Sequence, residues 1–268
     1  MIEHTVEAGV LRVGRAGARW LSTGVRGGIR VADAAYNVSV PADFDRSDLE
    51  RYAAERLDRA GFDGRGPVFL TGVDLAHARG ARSGPVTVVA TAGLSNPAAL
   101  PLDGEATDAG DPDPDARNPV DPDGDARNSG HPDVEGGALD PEDADSDHDA
   151  APPGTVNLVV VTDRALDDGA LPSLLATAVE AKTATLLGTA GFTGTTSDAV
   201  AVGCDPEGEP TRFAGSATTL GKATRACVRD AVRASLRSRY ADRDRPTAVA
   251  DAEYGTVTRE PSTVFVPR

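Results

Sequence analysis

Two apolar runs separated by one helix-length segment restrict this chain more than any other feature. The first, Gly154 to Asp163, reads GTVNLVVVTD; the second, Ala199 to Cys204, reads AVAVGC. Runs rich in β-branched residues and without polar alternation are strands buried on both faces. Between them Leu171, Leu174, Leu175, Ala178, Val179 and Leu186 recur at helical spacing, with Pro172 in the first turn, where its missing N–H costs nothing, and Gly188 as the stop. The helix is followed by Gly188-Thr189-Ala190-Gly191-Phe192-Thr193-Gly194-Thr195-Thr196-Ser197-Asp198. Glycines let backbone N–H groups approach a ligand and hydroxyls can bind it, so this loop is either a ligand loop or a plain helix cap with a turn.

Upstream, short alternating patterns over Thr5–Val13 and Ala18–Leu21 lead into the glycine-rich turn Ser22 to Ile29, and Gly28–Val40 returns as an extended stretch. Ser47 reads as the N-cap of a helix that carries Glu50 at its third position and stops at Gly61. Pro67–Val73 and Pro85–Gly93 are strands joined by a short polar link that carries His77. After Cys204, Asp205–Pro210 reads as a turn and Arg212–Gly215 as a short extended piece, and Ser216 as the cap of a helix to about Tyr240. The expected fold is α/β, with α+β as the alternative: a single domain over residues 1–268, with a mixed β-sheet covered by helices.

The net charge of −15 belongs to one segment. Between Asp103 and Asp149 there are 17 acids and two arginines, which leaves 25 acids and 25 bases elsewhere. Residues 102–153 lack aromatics and hold few large apolar side chains, so they cannot bury enough surface to offset chain entropy. They read as a disordered acidic insertion. Its alternating aspartates resemble a calcium loop but lack the glycine and distal glutamate of an EF-hand. The two cysteines, Cys204 and Cys227, fit no zinc or disulfide pattern and read as small core residues of a reduced compartment. Without an apolar run of membrane-spanning length or a signal peptide, the chain is expected to be soluble and cytoplasmic, with no membrane partner.

Arg225, Arg229, Arg233 and Arg237 recur every four residues. One basic helix face without interleaved aromatics reads as a solvated face, so nucleic acid is not expected as a partner. Gly215 to Ala223 misses the phosphate-loop pattern in its glycine spacing and in the residue after Lys222. Lys182 falls within the apolar stripe of its helix, where it either snorkels to the rim or is held by a carboxylate, Asp198 being the first partner to consider. Glu180 falls on the opposite side. No Ser-His-Asp, Cys-His or metal-ligand spacing occurs, so Ser22, Ser95, Ser197 and His77 read as turn residues as readily as catalysts, and no metal is expected.

Several ordered stretches, however, agree with one family. Leu21-Ser22 with Gly27-Gly28, Val88 to Asn96, Gly154-Thr155-Val156-Asn157, Glu180-Ala181-Lys182-Thr183, Gly194 to Val200 and Ala214 to Gly221 resemble the adenosylcobinamide amidohydrolase (CbiZ) family. The resemblance covers the chain outside the insertion and the C-terminal tail. Where the family pattern reads Gly-Thr-Gly-Thr-Asp, this chain has Thr196 and Ser197 before Asp198. The resemblance implies hydrolysis of the amide that joins the corrin ring to aminopropanol in adenosylcobinamide, giving adenosylcobyric acid for corrinoid salvage; a non-catalytic corrinoid carrier is the alternative. It implies no cofactor, since the corrinoid substrate brings its own cobalt, and it leaves the oligomeric state open. The expected pocket joins Ser22, Gly27 and Gly28, the Ser95-Asn96 turn, Gly194, Thr195, Thr196 and Ser197, with Thr219 beyond. Asp198 with Lys182 is the first choice for the catalytic groups, and Glu180 and His77 are the next.

Overall fold

The computed structural model describes residues 2–41, 43–101, 154–252 and 254–267. One compact unit comprises Met1–Pro101 and Ala150–Arg259; the other comprises Leu102–Asp149 and Glu260–Arg268. Of the latter only 260–267 are described, and they form neither helix nor strand. The acidic segment 102–153 lies outside the described residues.

The first unit runs β1 (Glu3–Glu7), β2 (Val10–Ser22), β3 (Gly28–Ser39), α1 (Leu49–Arg59), β4 (Val68–Thr71), β5 (Arg79–Ser83), β6 (Val86–Ala92), β7 (Pro97–Ala99), β8 (Val156–Leu166), α2 (Ala170–Ala190), β9 (Gly194–Thr195), β10 (Ala199–Thr211), α3 (Thr219–Arg239) and β11 (Thr256–Val257). The main sheet has the order β4-β3-β2-β10-β8-β6-β5, with β1 also on β2. It is mixed, as expected: β3 with β4 and β8 with β10 are parallel, and the other pairs are antiparallel. Each parallel pair is joined through a helix, α1 and α2 respectively, because parallel neighbours need a crossover. Among the described residues no helix is long and apolar enough to cross a membrane.

The sheet coils until its two halves face each other. Asn37 on β3 donates to Thr91 on β6 at 2.8 Å, although three strands separate β3 from β6 in the hydrogen-bonded order. Asn157 on β8 donates to Asn37 at 3.1 Å and to the Leu70 carbonyl of β4 at 2.9 Å. Leu11, Val13, Trp20, Phe69, Val159 and Val161 fill the space between the halves. On one outer face α1 packs Tyr52, Ala53 and Leu57 against β2, β3 and β4. On the other, α2 and α3 bury Leu171, Leu174, Leu186, Cys227 and Val228 against β6, β8 and β10. Each strand of the β8–β10 pair is thus covered on both faces, which is why neither shows polar alternation.

Local chemistry departs from the sequence reading at several element ends. The N-cap of α1 is Asp48, without a side-chain cap bond, because Arg46 takes its carboxylate at 2.8 and 2.6 Å. The polar link after β4 contains the edge strand β5, whose outward polar residues hide it from a pattern search. Helix α2 passes through Gly188 and ends at Gly191, which takes the left-handed cap conformation with φ 78°. Asp205–Pro210 is not a turn: β10 continues to Thr211 after a bulge between Cys204 and Glu209. The N-cap of α3 is Thr218, whose hydroxyl accepts from Gly221 N at 2.9 Å, rather than Ser216.

Trp20, fully buried, donates to the Ala32 carbonyl at 3.0 Å and lies flat over Gly203. A Cβ on Gly203 would sit 2.7 Å from two ring carbons. Gly203→Ala is therefore expected to lower stability by about 1–3 kcal/mol through overpacking. A melting temperature unchanged within a degree would show that the ring can step aside.

Candidate active site

Strand β10 begins at Ala199, so Asp198 sits at the entrance of a buried strand and its carboxylate must find donors nearby. It finds four. One oxygen accepts from Val156 N at 2.8 Å and from the Thr195 hydroxyl; the other accepts from Thr195 N at 3.1 Å and from Lys182 Nζ. The two side chains of the ion pair are 8% and 11% exposed for Lys182 and Asp198. Lys182 thus does not snorkel: it projects from the buried stripe of α2 onto the carboxylate. Gly194 makes the approach possible, since a Cβ there would lie 2.7 Å from Asp198 Oδ2 and 3.3 Å from Lys182 Nζ. A single carboxylate ties together the starts of β8 and β10, strand β9 and helix α2.

The loop before Asp198 is fixed from the other side by the Ser95-Asn96 turn. Asn96, buried, donates from its side-chain amide to the hydroxyls of Thr196 at 2.7 Å and Ser197 at 3.2 Å, and its backbone carbonyl accepts from Thr196 N at 3.1 Å. The Ser95 hydroxyl accepts from Gly154 N at 2.7 Å. β9 pairs with β7, which extends this clasp into a three-stranded sheet with β11.

Asp198 and Ser197 open onto a cavity of about 340 Å³. Its walls are apolar, with Val25, Phe44, Leu49 and Phe69 among them, and Thr23, Thr71 and Thr155 add hydroxyls. Thr71, almost fully buried, is informative: its oxygen accepts from Thr155 Oγ1 at 3.1 Å and from Val73 N at 3.0 Å. A hydroxyl rotates freely, so Thr71 can turn its proton toward Thr155 or toward a bound ligand. An apolar chamber with a few convergent polar groups and one lysine-paired carboxyl group suits the binding of a small neutral polar arm.

The expected site residues divide accordingly. Lys182, Asp198, Gly194 and Thr195 come together; Ser197 lines the cavity; Ser95, Asn96 and Thr196 hold the loop without lining it. The Ser22 turn contributes through Thr23 and Gly24: the buried Ser22 hydroxyl accepts from Gly24 N at 3.1 Å, and Gly27 packs on the Ser22 carbonyl. Gly28 takes φ 84° to turn the chain into β3. Thr219 is exposed at the start of α3, and Glu180 is exposed and paired with Arg225. His77 shares a 3.0 Å hydrogen bond with Ser238 on α3, and no hydrogen bond joins it to Asp198 or Lys182. Burial pushes the thiols of Cys204 and Cys227 up, against a nucleophilic role. Among the described residues no three His, Cys, Asp or Glu side chains gather as metal ligands would.

Sequence reasoning missed the cavity walls on Phe44, Leu49, Phe69 and Thr71. They lie far along the chain from Asp198 and meet it only because the sheet coils. Asn157 did carry a signal: a lone amide within an apolar strand must have partners.

Comparisons with known proteins bear on the family of the chain. No solved structure matches the chain. A protein of Halobacterium salinarum named adenosylcobinamide amidohydrolase is 51% identical over 269 residues, covering all of both chains. The family model described as adenosylcobinamide amidohydrolase matches residues 2–244, a span that includes every side chain around Asp198 and the cavity, and the chain accordingly belongs to the adenosylcobinamide amidohydrolase family.

Proposed function

We propose that the protein hydrolyses adenosylcobinamide at the amide linking the corrin ring to aminopropanol, and that the cavity beside Asp198 receives that amide arm. The observation that carries this reading is a lysine-paired carboxyl group at the wall of an apolar chamber. At about 340 Å³ the chamber lies near the small end of ligand sites, so the arm enters while the macrocycle rests at the mouth.

Amide hydrolysis needs a water relieved of a proton, a stabilised oxyanion and a protonated leaving amine. In this reading Asp198 takes the proton from water. Its four donors fill its acceptor positions, so a water must displace one of them, and the Thr195 hydroxyl, free to rotate, yields more easily than two backbone N–H groups or the Lys182 ammonium. Lys182 holds the carboxylate in place through their ion pair. In the same reading the Thr71 hydroxyl turns to donate to the substrate carbonyl and Ser197 binds the arm, which is supported by their both lining the cavity. The proton gained by Asp198 leaves with the departing aminopropanol. The chain is read as one catalytic domain with residues 102–153 inserted between β6 and β8, in keeping with the direct pairing of those two strands. A cytoplasmic location fits two buried, unbridged cysteines.

Incubation with adenosylcobinamide should yield adenosylcobyric acid and aminopropanol in equal amounts, resolved by mass spectrometry. Saturable corrinoid binding without either product would favour the carrier reading instead.

A further inference from the structure

Away from the cavity, helices α2 and α3 leave between them a groove that the amidohydrolase reading does not use. Its floor is made by small residues of α2: Ala181, Ala184, Thr185 and Gly188 recur at helical spacing, and a Cβ on Gly188 would meet nothing within 4 Å. Its wall is cationic. Lys222, Arg229, Arg233 and Arg237 rise along α3, and Arg243 and Arg245 continue the line beyond it, with Asp244 the one acid among the residues that line the two hollows. Two adjoining hollows of about 510 and 450 Å³ share Thr189 and Arg233.

These cations are not spent on the protein. Arg225 is paired with Glu180, and Arg229 with Asp230, but Lys222, Arg233, Arg237, Arg243 and Arg245 have no hydrogen-bonded or ion-paired acid among the described residues. Asp230 registers the resulting field. The hydrogen bond from Arg229, and then the charges of Arg229, Arg233 and Arg237, hold its carboxyl below the ordinary range. Outside residues 103–149 acids and bases are equal in number, so this concentration of positive charge is local. Aligned unpaired cations repel one another, and an anion that neutralises several at once removes that repulsion.

We propose that the groove between α2 and α3 binds a small molecule carrying several linked phosphates, an oligophosphate either free or attached to a nucleoside. Successive arginines on one helix face stand about 6 Å apart along the axis at 1.5 Å per residue, so one phosphate reaches at most two of them and a chain of phosphates reaches more. A recessed floor of alanine and glycine suits a ligand that enters. The half of the groove around Lys222 has no aromatic residue on which bases of a nucleic acid strand could stack. Leu236 and Tyr240 line the other half and offer an apolar seat to a nucleoside.

The full-length protein would be titrated calorimetrically with tripolyphosphate, ATP, AMP and a single-stranded oligonucleotide, at low and at high salt. Tripolyphosphate and ATP are expected to bind one per chain, AMP at least tenfold more weakly, and all to weaken with salt. Tighter binding of ATP than of tripolyphosphate identifies the nucleoside form; equal binding identifies the free form. Arg233→Glu with Arg237→Glu should cost more than tenfold in affinity and leave adenosylcobinamide hydrolysis at the parent rate; Arg233→Gln alone gives a milder version with the helix undisturbed. The proposal fails if the parent shows no saturable binding at low salt, if both variants bind as the parent does, or if the oligonucleotide binds more tightly, which would make the groove a nucleic-acid surface. None of these results bears on hydrolysis, so the two readings stand or fall separately.

Discussion

Asp198→Asn is expected to lower the hydrolysis rate by roughly 10²–10⁴ while leaving adenosylcobinamide binding near that of the parent, because the general base is lost and the shape is kept. It should also weaken the fold. Lys182 would be left as a buried ammonium without a counter-charge, and an amide nitrogen would face either that ammonium together with Thr195 N, or Val156 N, donor against donor. Breaking a buried pair from one side costs about 3–5 kcal/mol. The variant Lys182→Met with Asp198→Asn separates the two effects, since it removes both charges. Most of the lost melting temperature should return, and the activity should not. A double variant that regains activity would reduce Asp198 to a positioning residue. Parent-rate hydrolysis by Asp198→Asn alone would remove it from the chemistry and turn attention to Thr71 and Ser197.

Asn157→Leu should be the most damaging single change outside the ion pair. The side chain is fully enclosed; it donates to Asn37 and to the Leu70 carbonyl and accepts from Ala199 N at 3.2 Å. Leucine has a similar volume, so little cavity forms, but three groups on β3, β4 and β10 lose their partner together. At about 1–3 kcal/mol for each unsatisfied buried group, the loss approaches the whole stability of an ordinary domain, about 5–15 kcal/mol. Urea unfolding should show a large drop in midpoint or no cooperative transition. A change below about 1 kcal/mol would mean that the amide does not hold the two halves of the sheet together.

The parts of this architecture that are local in sequence could be read from it. The β8-α2-β10 unit announces itself through apolar runs and helical spacing, and Lys182 through its place in the stripe. Asp198 could be named as its partner because both lie within that unit. Polar segments concealed what only tertiary pairing reveals: β5 is a strand because β6 offers it an edge, and Asp205–Pro210 stays extended because β8 runs beside it, despite two prolines and a glycine that read as a turn. The cavity was illegible for a further reason. Phe44, Leu49, Phe69 and Thr71 reach Asp198 only through the coiling of the sheet, and no periodicity encodes that curvature. His77 shows the limit of local reading: between strands a histidine reads as catalyst or as turn residue, and the fold sets its ring against Ser238 on α3.

The pairing of β6 with β8 also bears on the order in which the chain folds. Gly93 N donates to the Thr155 carbonyl at 3.0 Å and Gly154 N to Ser95, so the polypeptide leaves the sheet and returns to it at one spot. Closing a loop costs only about 0.6 kcal/mol more for each doubling of its length, so the stretch between these contacts can lengthen or shorten over generations with little effect on the equilibrium. The rate is another matter. Contacts distant in sequence form late, because their closure entropy must be met before any pairing is gained. The β8-α2-β10 unit, with its ends near in sequence, is expected to form first and to wait for β6; Asp198 would then be bound to its lysine before the wall opposite, with Phe69 and Thr71, arrives to enclose the cavity.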